Sequence, residues 1–330
     1  MKLATVARRA ATVLVVGAGV AFLALTIRRN WTDIAAYEWE ARWGQLSVSI
    51  AALAGTYAWA AFIWKRVLAR FATAPTGFST LLRISLVSRI ARFIPGKVWQ
   101  FVAVGQLSAR SGLSPRVMVS SMLVQAGFIL LSGIITASVI LAELIPAVPS
   151  DPTVVLPAAV ALALVGSHPR IIGLCLALLS KVARRETIAW TGGWRASAEL
   201  MLLSLVHWAM NGIAFYLFAD AIVRLELPDI LPLTGIYAFA FIAGYVAFVA
   251  PAGIGVREAT MASLLRPLIP SGAAAIVAIA ARLWTIAAEL LGVVLVLLFV
   301  PERRIDGRGG VTEGDGGHSR AGPEGPGDGG

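Results

Sequence analysis

The sequence predicts an all-α polytopic membrane protein, and three observations carry that expectation. Of 330 residues, 58% are hydrophobic and only 14% charged, whereas a soluble domain carries about 25% charged residues. Mean hydropathy is +0.80, and apolar runs recur at the length of about 20 residues that a bilayer crossing needs. Two apolar stretches are interrupted by a Pro-Gly turn beside a cation, at residues 89–110 and 247–267. Seven to eight transmembrane helices are expected, with two Pro-Gly-broken re-entrant hairpins in two related halves.

Residues 1–9 carry Lys2, Arg8 and Arg9, and an apolar run fills 10–27. That core is longer than a signal peptide's, and Arg28 and Arg29 follow it directly, so it reads as a retained first span with a cytoplasmic amino end. The loop 28–42 mixes charges of both signs with Trp31, Tyr37 and Trp39, as an interfacial segment does. A second span covers 44–63, closed by Lys65, Arg66 and Arg70. The first broken element follows. Arg83, Arg89 and Arg92 precede Pro95-Gly96, then come Lys97 and a short helix bearing Gln100 and Gln106.

Span three is expected over 117–141, an outer turn at Pro146, Pro149, Asp151 and Pro152, and a short span four over 154–166. Residues 168–196 hold an amphipathic helix too short to cross, which reads as an inner-surface linker between a first half (about 10–167) and a second (about 198–300). Spans five and six are expected at 198–218 and 231–249, and span seven at 273–300. Arg303, Arg304 and Arg308 argue for a cytoplasmic carboxyl end, yet seven crossings from an inside start would leave it outside. Residues 1–302 therefore form the membrane domain. From Gly307 onward eleven of 24 residues are Gly, so 303–330 reads as a disordered tail.

Net charge is +10, but the basic residues sit at span ends and short loops, which favours anionic lipid over nucleic acid. Cys175 is the sole cysteine and the three histidines are scattered, so no disulfide, metal or cofactor site is expected. No P-loop, GxSxG or HExxH pattern occurs, which argues against an ATP-driven pump and leaves no recognisable catalytic motif.

The second break carries the strongest signal. Pro251, Gly253 and Gly255 lead into adjacent Arg257 and Glu258 between apolar runs. A charge inside a membrane is costly and faces a cavity or a partner. A broken backbone at that depth needs surrounding protein or water. A half-helix opening there directs N–H groups at an anion. Two readings stand: a salt bridge that fixes the hairpin, or Arg257 gripping a lipid phosphate while Glu258 orients it or meets a cationic headgroup. Arg89, Arg92 and Lys97 are either inner-leaflet anchors or a second cationic wall. Arg282 and Glu289 lie seven apart on one face of the last span, as a compensating pair or as lining of the same cavity. Gln100 and Gln125 either donate neutral hydrogen bonds to the headgroup, Gln100 being counted with the substrate-binding residues, or make helix–helix contacts; His207 and Asn211 read as buried polar glue, Glu199 as interfacial, and the ten Trp residues mostly as membrane-interface belts.

On RFIPGKVWQ at 92–100 and PAGIGVRE at 251–258, the sequence resembles the lysylphosphatidylglycerol synthase transmembrane region, the flippase-like UPF0104 membrane family. The likeness covers roughly residues 10–300. It implies a lipid flippase of the cytoplasmic membrane, the region that in the family's multiple-peptide-resistance enzymes moves aminoacylated phosphatidylglycerol; for this chain the expected cargo is an anionic or zwitterionic phospholipid or a polyprenyl-phosphate-linked lipid. Pro95, Gly96, Pro251, Gly253, Gly255, Arg257 and Glu258 would belong to the two re-entrant elements forming the lipid site. The family's full synthases carry a soluble aminoacyl-transferase domain, whereas here a Gly-rich tail follows residue 300, so no lysyl-lipid synthesis is expected. A rival expectation is a membrane glycosyltransferase using Asp33, Glu38 or Glu40, or a non-catalytic partner of a synthase or glycosyltransferase.

Overall fold

The computed structural model describes residues 25, 28, 31–36, 41–71, 76–91, 99–144, 152–182, 188–247 and 255–300. Among these the chain is helical, without strands. The helices are α1 (Trp31–Ala36), α2 (Trp43–Leu68), α3 (Phe78–Ile90), α4 (Trp99–Arg110), α5 (Pro115–Leu144) and α6 (Pro152–Gly166). There follow α7 (Pro169–Val182), α8 (Trp194–Asp220), α9 (Ile230–Val246), α10 (Val256–Leu265) and α11 (Ser271–Phe299). The expected first span at 10–27, the outer turn at 145–151 and the tail lie outside the described residues.

Helices α2 and α8 form the spine, antiparallel and clamped at both ends. At one end Arg42 bridges Asp220 at 2.7 Å, and Gln45 Nε2 donates to the same carboxylate at 2.7 Å. At the other, Arg66 and Arg70 hold Glu199 at 2.5 and 2.8 Å. These two clamps define an Asp220 end and a Glu199 end of the bundle. Glu199 is thus at a helix end, as expected, but as the hub of an ion-pair network.

The remaining elements take their direction from this frame. Helix α5 starts at the Glu199 end, where Trp64 Nε1 donates to Ser121 Oγ at 2.9 Å. It rises past Gln125, whose Nε2 donates to the Ala60 carbonyl at 2.6 Å. Helix α6 comes down to Ser167, whose carbonyl accepts from Ser197 Oγ at 2.7 Å. There α7 turns off by 58°. Pro169 opens α7, where a missing N–H is harmless and a helix restarts readily. Ile172 and Leu176 pack it on Ile63, Val67 and Phe71, while Leu174, Leu178 and Val182 face outward.

Helix α3 begins at the Glu199 end, where Arg83 Nη1 donates to the Val300 carbonyl at 2.7 Å. It stops at mid-bundle, and α4 leads back to the start of α5 at that same end. Residues 92–98 between them lie outside the described residues. Helix α9 instead enters from the Asp220 end. Its partner α10 packs on α9 and α11 and leads to the start of α11 at that end, because α11 runs down to Val300. The two hairpins therefore enter from opposite ends.

Five helices are long and apolar enough to cross a membrane, six if the bent pair counts as one span, in keeping with a polytopic protein. Composition alone makes Leu227–Val246 one of them. The short α10 packs back on it and on α11.

Small residues let the helices approach closely, as packing without a hydrophobic driving force requires. A Cβ at Gly212 would lie 1.9 Å from Thr234 Oγ1, and one at Gly133 2.8 Å from the Trp208 ring. The expected Trp belts hold only in part. Trp31, Trp43, Trp99 and Trp194 are exposed, but Trp64, Trp208 and Trp284 are buried struts. Their indole N–H groups cross to Ser121, to the Ile129 carbonyl and to Ser49 at 2.9, 2.9 and 3.1 Å. An indole N–H inside a bundle needs an acceptor, and a neighbouring helix supplies it.

Candidate functional site

The turn into α10 fixes the first half of the site. Gly255 has φ 87°, a left-handed conformation that a side chain disfavours and glycine accepts. Three residues on, Glu258 turns back so that its Oε2 accepts the Gly255 N–H at 2.7 Å. This is the reciprocal arm of a capping box, satisfying a donor the helix start leaves open. With the start of α10 pinned, Arg257 lies against α9. Its guanidinium carbon sits 4.9 Å from the centre of the Tyr237 ring and 5.8 Å from that of Phe241. Its Nη2 is buried with no hydrogen-bond partner among the described residues.

The other hairpin supplies Arg89, in the last turn of α3. Its guanidinium carbon lies 4.3 Å over the Tyr57 ring of α2, and its Nη1 is 3.9 Å from Glu289 Oε1 of α11. The pair is largely shielded, at 18% and 4% side-chain exposure. Arg89 Nε is buried without a hydrogen-bond partner. Arg282, two turns before Glu289, lies within electrostatic reach of Glu258, Arg257, Tyr57 and Tyr237. Tyr57 and Tyr237 are within reach of Arg89 as well. One cluster thus joins both hairpins through α2, α9 and α11.

The cluster sits at mid-bundle. His207, within reach of Arg89, is the middle residue of α8. Tyr57, Tyr237, Arg282 and Glu289 all come from the middle of their helices. Asn211 donates from Nδ2 to the His207 carbonyl at 2.7 Å and meets His207 Nε2 at 3.2 Å. The expected polar glue at this pair bonds within α8 and also meets the Thr56 backbone of α2.

Of the residues the sequence singles out, Arg89, Arg257, Glu258, Arg282 and Glu289 are brought together, with Gly255 at the turn. Gln100 is half-buried on α4, and Gln125 makes the helix contact described above. Arg92, Pro95, Gly96, Lys97, Pro251 and Gly253 lie outside the described residues, as do Glu38 and Glu40 of the rival expectation. Asp33 is on α1. Sequence reasoning missed Tyr57, Tyr237 and Phe241. Their one signal was a polar-tipped or aromatic ring at the centre of an apolar helix, which packing alone also explains.

Chemically, three guanidiniums face two carboxylates over three aromatic rings. Guanidinium N–H groups bind phosphate oxygens through charge-assisted, two-pronged hydrogen bonds. Shielding from water makes such bonds stronger and leaves unpaired donors costly. A family model described as the lysylphosphatidylglycerol synthase TM region matches residues 10–292. No curated protein matches the chain.

Proposed function

The chain belongs to the lysylphosphatidylglycerol synthase TM-region family, and from that premise we propose that it moves a phospholipid or lipid-linked headgroup between the leaflets of the cytoplasmic membrane. The observation that carries this reading is the convergence of two hairpins, entering from opposite ends, on one mid-bundle cluster holding Arg89 and Arg257. Discontinuous helices that meet at mid-depth form the sites of many transporters. A polar headgroup passing through hydrocarbon is penalised for every hydrogen bond it loses. Guanidiniums at the halfway point replace those bonds while the acyl chains stay in lipid.

The two halves, 10–167 and 198–300, act as inverted partners, each contributing one hairpin. Lys65, Arg66, Arg70, Arg110, Arg116 and Arg195 gather at the Glu199 end, which the positive-inside rule places in the cytoplasm. With 10–27 as a crossing, both termini then face the cytoplasm, in accord with the basic residues at each.

The test is leaflet-resolved lipid movement in vesicles, comparing the parent with Arg257→Ala. The variant should lose most of the rate. Equal rates would overturn the proposal.

A further inference from the structure

Resting on that reading of the site, we infer that lipid movement is coupled to a proton: Glu289 takes one up when a lipid phosphate binds Arg89 and releases it when the phosphate leaves. The inference comes from how these two side chains are held.

Glu289 comes from the middle of α11 and is 3% exposed. A carboxylate shielded from water keeps its charge only beside a cation or hydrogen-bond donors. Arg89 faces it with Nη1 at 3.9 Å from Oε1, a contact longer than a hydrogen bond. Arg89 itself is seated by its face, with the guanidinium carbon 4.3 Å over the Tyr57 ring. That seat leaves the N–H edge for an acceptor, and Nε is buried with no hydrogen-bond partner among the described residues. The pair is thus held by charge. A phosphate brings the same charge and a two-pronged hydrogen bond besides, so it takes the guanidinium from the carboxylate.

That exchange leaves two anions at one cation in shielded surroundings. A proton added to a Glu289 oxygen removes the conflict, since a carboxylate beside a second anion is stabilised in its neutral form. The proton comes from water on the side to which the site is open. It returns to water on the other side when the phosphate leaves and Arg89 faces Glu289 again. No bond of the lipid changes, and a phosphate carried with one proton crosses without net charge.

The other titratable and charged groups facing the cluster are committed elsewhere. Glu258 of α10 accepts the Gly255 N–H at 2.7 Å and lies within reach of Arg282 of α11. Arg257 of α10 lies over Tyr237 of α9 at 4.9 Å, and Tyr57 of α2 lies under Arg89. On α8 the Asn211 amide nitrogen donates to the His207 carbonyl at 2.7 Å and meets His207 Nε2 at 3.2 Å. A proton added at that ring nitrogen would face an N–H donor, with Arg89 within reach as well. Glu289 is the group that can exchange its cation for a proton.

The experiment counts protons. Phosphatidylglycerol is titrated calorimetrically into the purified full chain in detergent micelles, in buffers of different ionisation enthalpy. Its phosphodiester keeps one negative charge near neutral pH, so a proton taken up is the protein's. About one proton should be taken up per lipid bound, and affinity should fall by up to about tenfold for each unit by which pH rises. The sign follows from the step: the bound state holds the extra proton, so lower pH favours it. Glu289→Gln, neutral at every pH, should bind with no proton uptake and a flat pH profile, whereas His207→Gln should keep the count. Binding by the parent without proton uptake would overturn the inference, as would uptake that persists in Glu289→Gln. The parent's count needs no variant, so it decides the matter even if Glu289→Gln does not fold.

Phosphatidylcholine vesicles holding the protein and a labelled phosphatidylglycerol tracer, under an imposed pH difference, give the transport side. One proton per lipid lets a difference of one unit hold up to about a tenfold excess of tracer in the leaflet on the alkaline side, and Glu289→Gln should abolish it. The two readings fail separately. Proton uptake on binding with no movement between leaflets removes the transport proposal alone. Movement that ignores the pH difference, with no uptake on binding, removes the coupling alone.

Discussion

Arg89 and Glu289 come from opposite parts of the chain and meet at 3.9 Å across α3 and α11, both largely shielded from solvent. The last turn of α3 is tied to the last helix by this contact. Breaking a buried ion pair from one side is far more costly than replacing both partners, since the survivor keeps its desolvation penalty. Arg89→Met should therefore lower stability by about 3 kcal/mol. Adding Glu289→Leu should recover most of that loss while lipid binding stays impaired. Reversible unfolding in mixed micelles, run as a double-mutant cycle, measures both. A double variant no more stable than the single one would show that the pair is not the source of the loss.

Glu258 is the second place where charge serves architecture. Its carboxylate closes the turn onto Gly255 N–H at 2.7 Å. Glu258→Ala should cost about 1–2 kcal/mol, as other lost N-terminal caps do. Glu258→Gln keeps an acceptor and should cost less. The loss should be local, seen as faster amide hydrogen exchange in Val256–Leu265 with little change in α5 or α8.

The charged members of the site were legible because ionised groups in apolar runs are too costly to be incidental. Arg257, Glu258, Arg282 and Glu289 all stood out that way. What they do was less legible. Glu258 reads in sequence as a headgroup ligand or a salt-bridge partner, and only its three-residue reach back to Gly255 shows it as a cap. Tyr57 and Tyr237 were invisible because an aromatic in an apolar helix satisfies packing as readily as it seats a guanidinium. The burial of Trp64, Trp208 and Trp284 was hidden for the same reason. Helix α9 was legible as a helix while the packing of α10 back on it was not, since hydropathy records length and says nothing of direction. The Pro-Gly breaks themselves, Pro95-Gly96 and Pro251 to Gly253, lie outside the described residues.

At the Glu199 end the expectation reverses. Arg66, Arg70 and Glu199 keep 44%, 33% and 30% side-chain exposure, so water and salt screen them. Glu199→Gln should cost no more than about 1 kcal/mol, and the difference from the parent should shrink as salt is raised. Lipid movement should stay at the parent rate. A large loss of movement would mean that this clamp, and not the mid-bundle cluster, limits transport.

The seat of Gly212 against Thr234 gives the sharpest structural test. A methyl group at Gly212 would stand 1.9 Å from Thr234 Oγ1 and 2.6 Å from Thr234 Cβ. Gly212→Ala must therefore push α8 and α9 apart, at about 1–3 kcal/mol, the usual range for an overpacked interior. Thr234→Ala in the same chain should restore only part of this, because the Cβ it retains still crowds the new methyl. Gly55, with nothing within 4 Å of an added Cβ, is the control, and Gly55→Ala should be neutral or stabilising through helix propensity. Displacing α9 carries a second consequence. Tyr237 lies less than a turn beyond Thr234 and seats Arg257 at 4.9 Å, so a shift of α9 moves that guanidinium's support. Gly212→Ala should weaken anion binding along with stability, whereas Gly55→Ala leaves both intact. Binding that survives in Gly212→Ala at full strength would mean that Arg257 does not depend on α9 for its position.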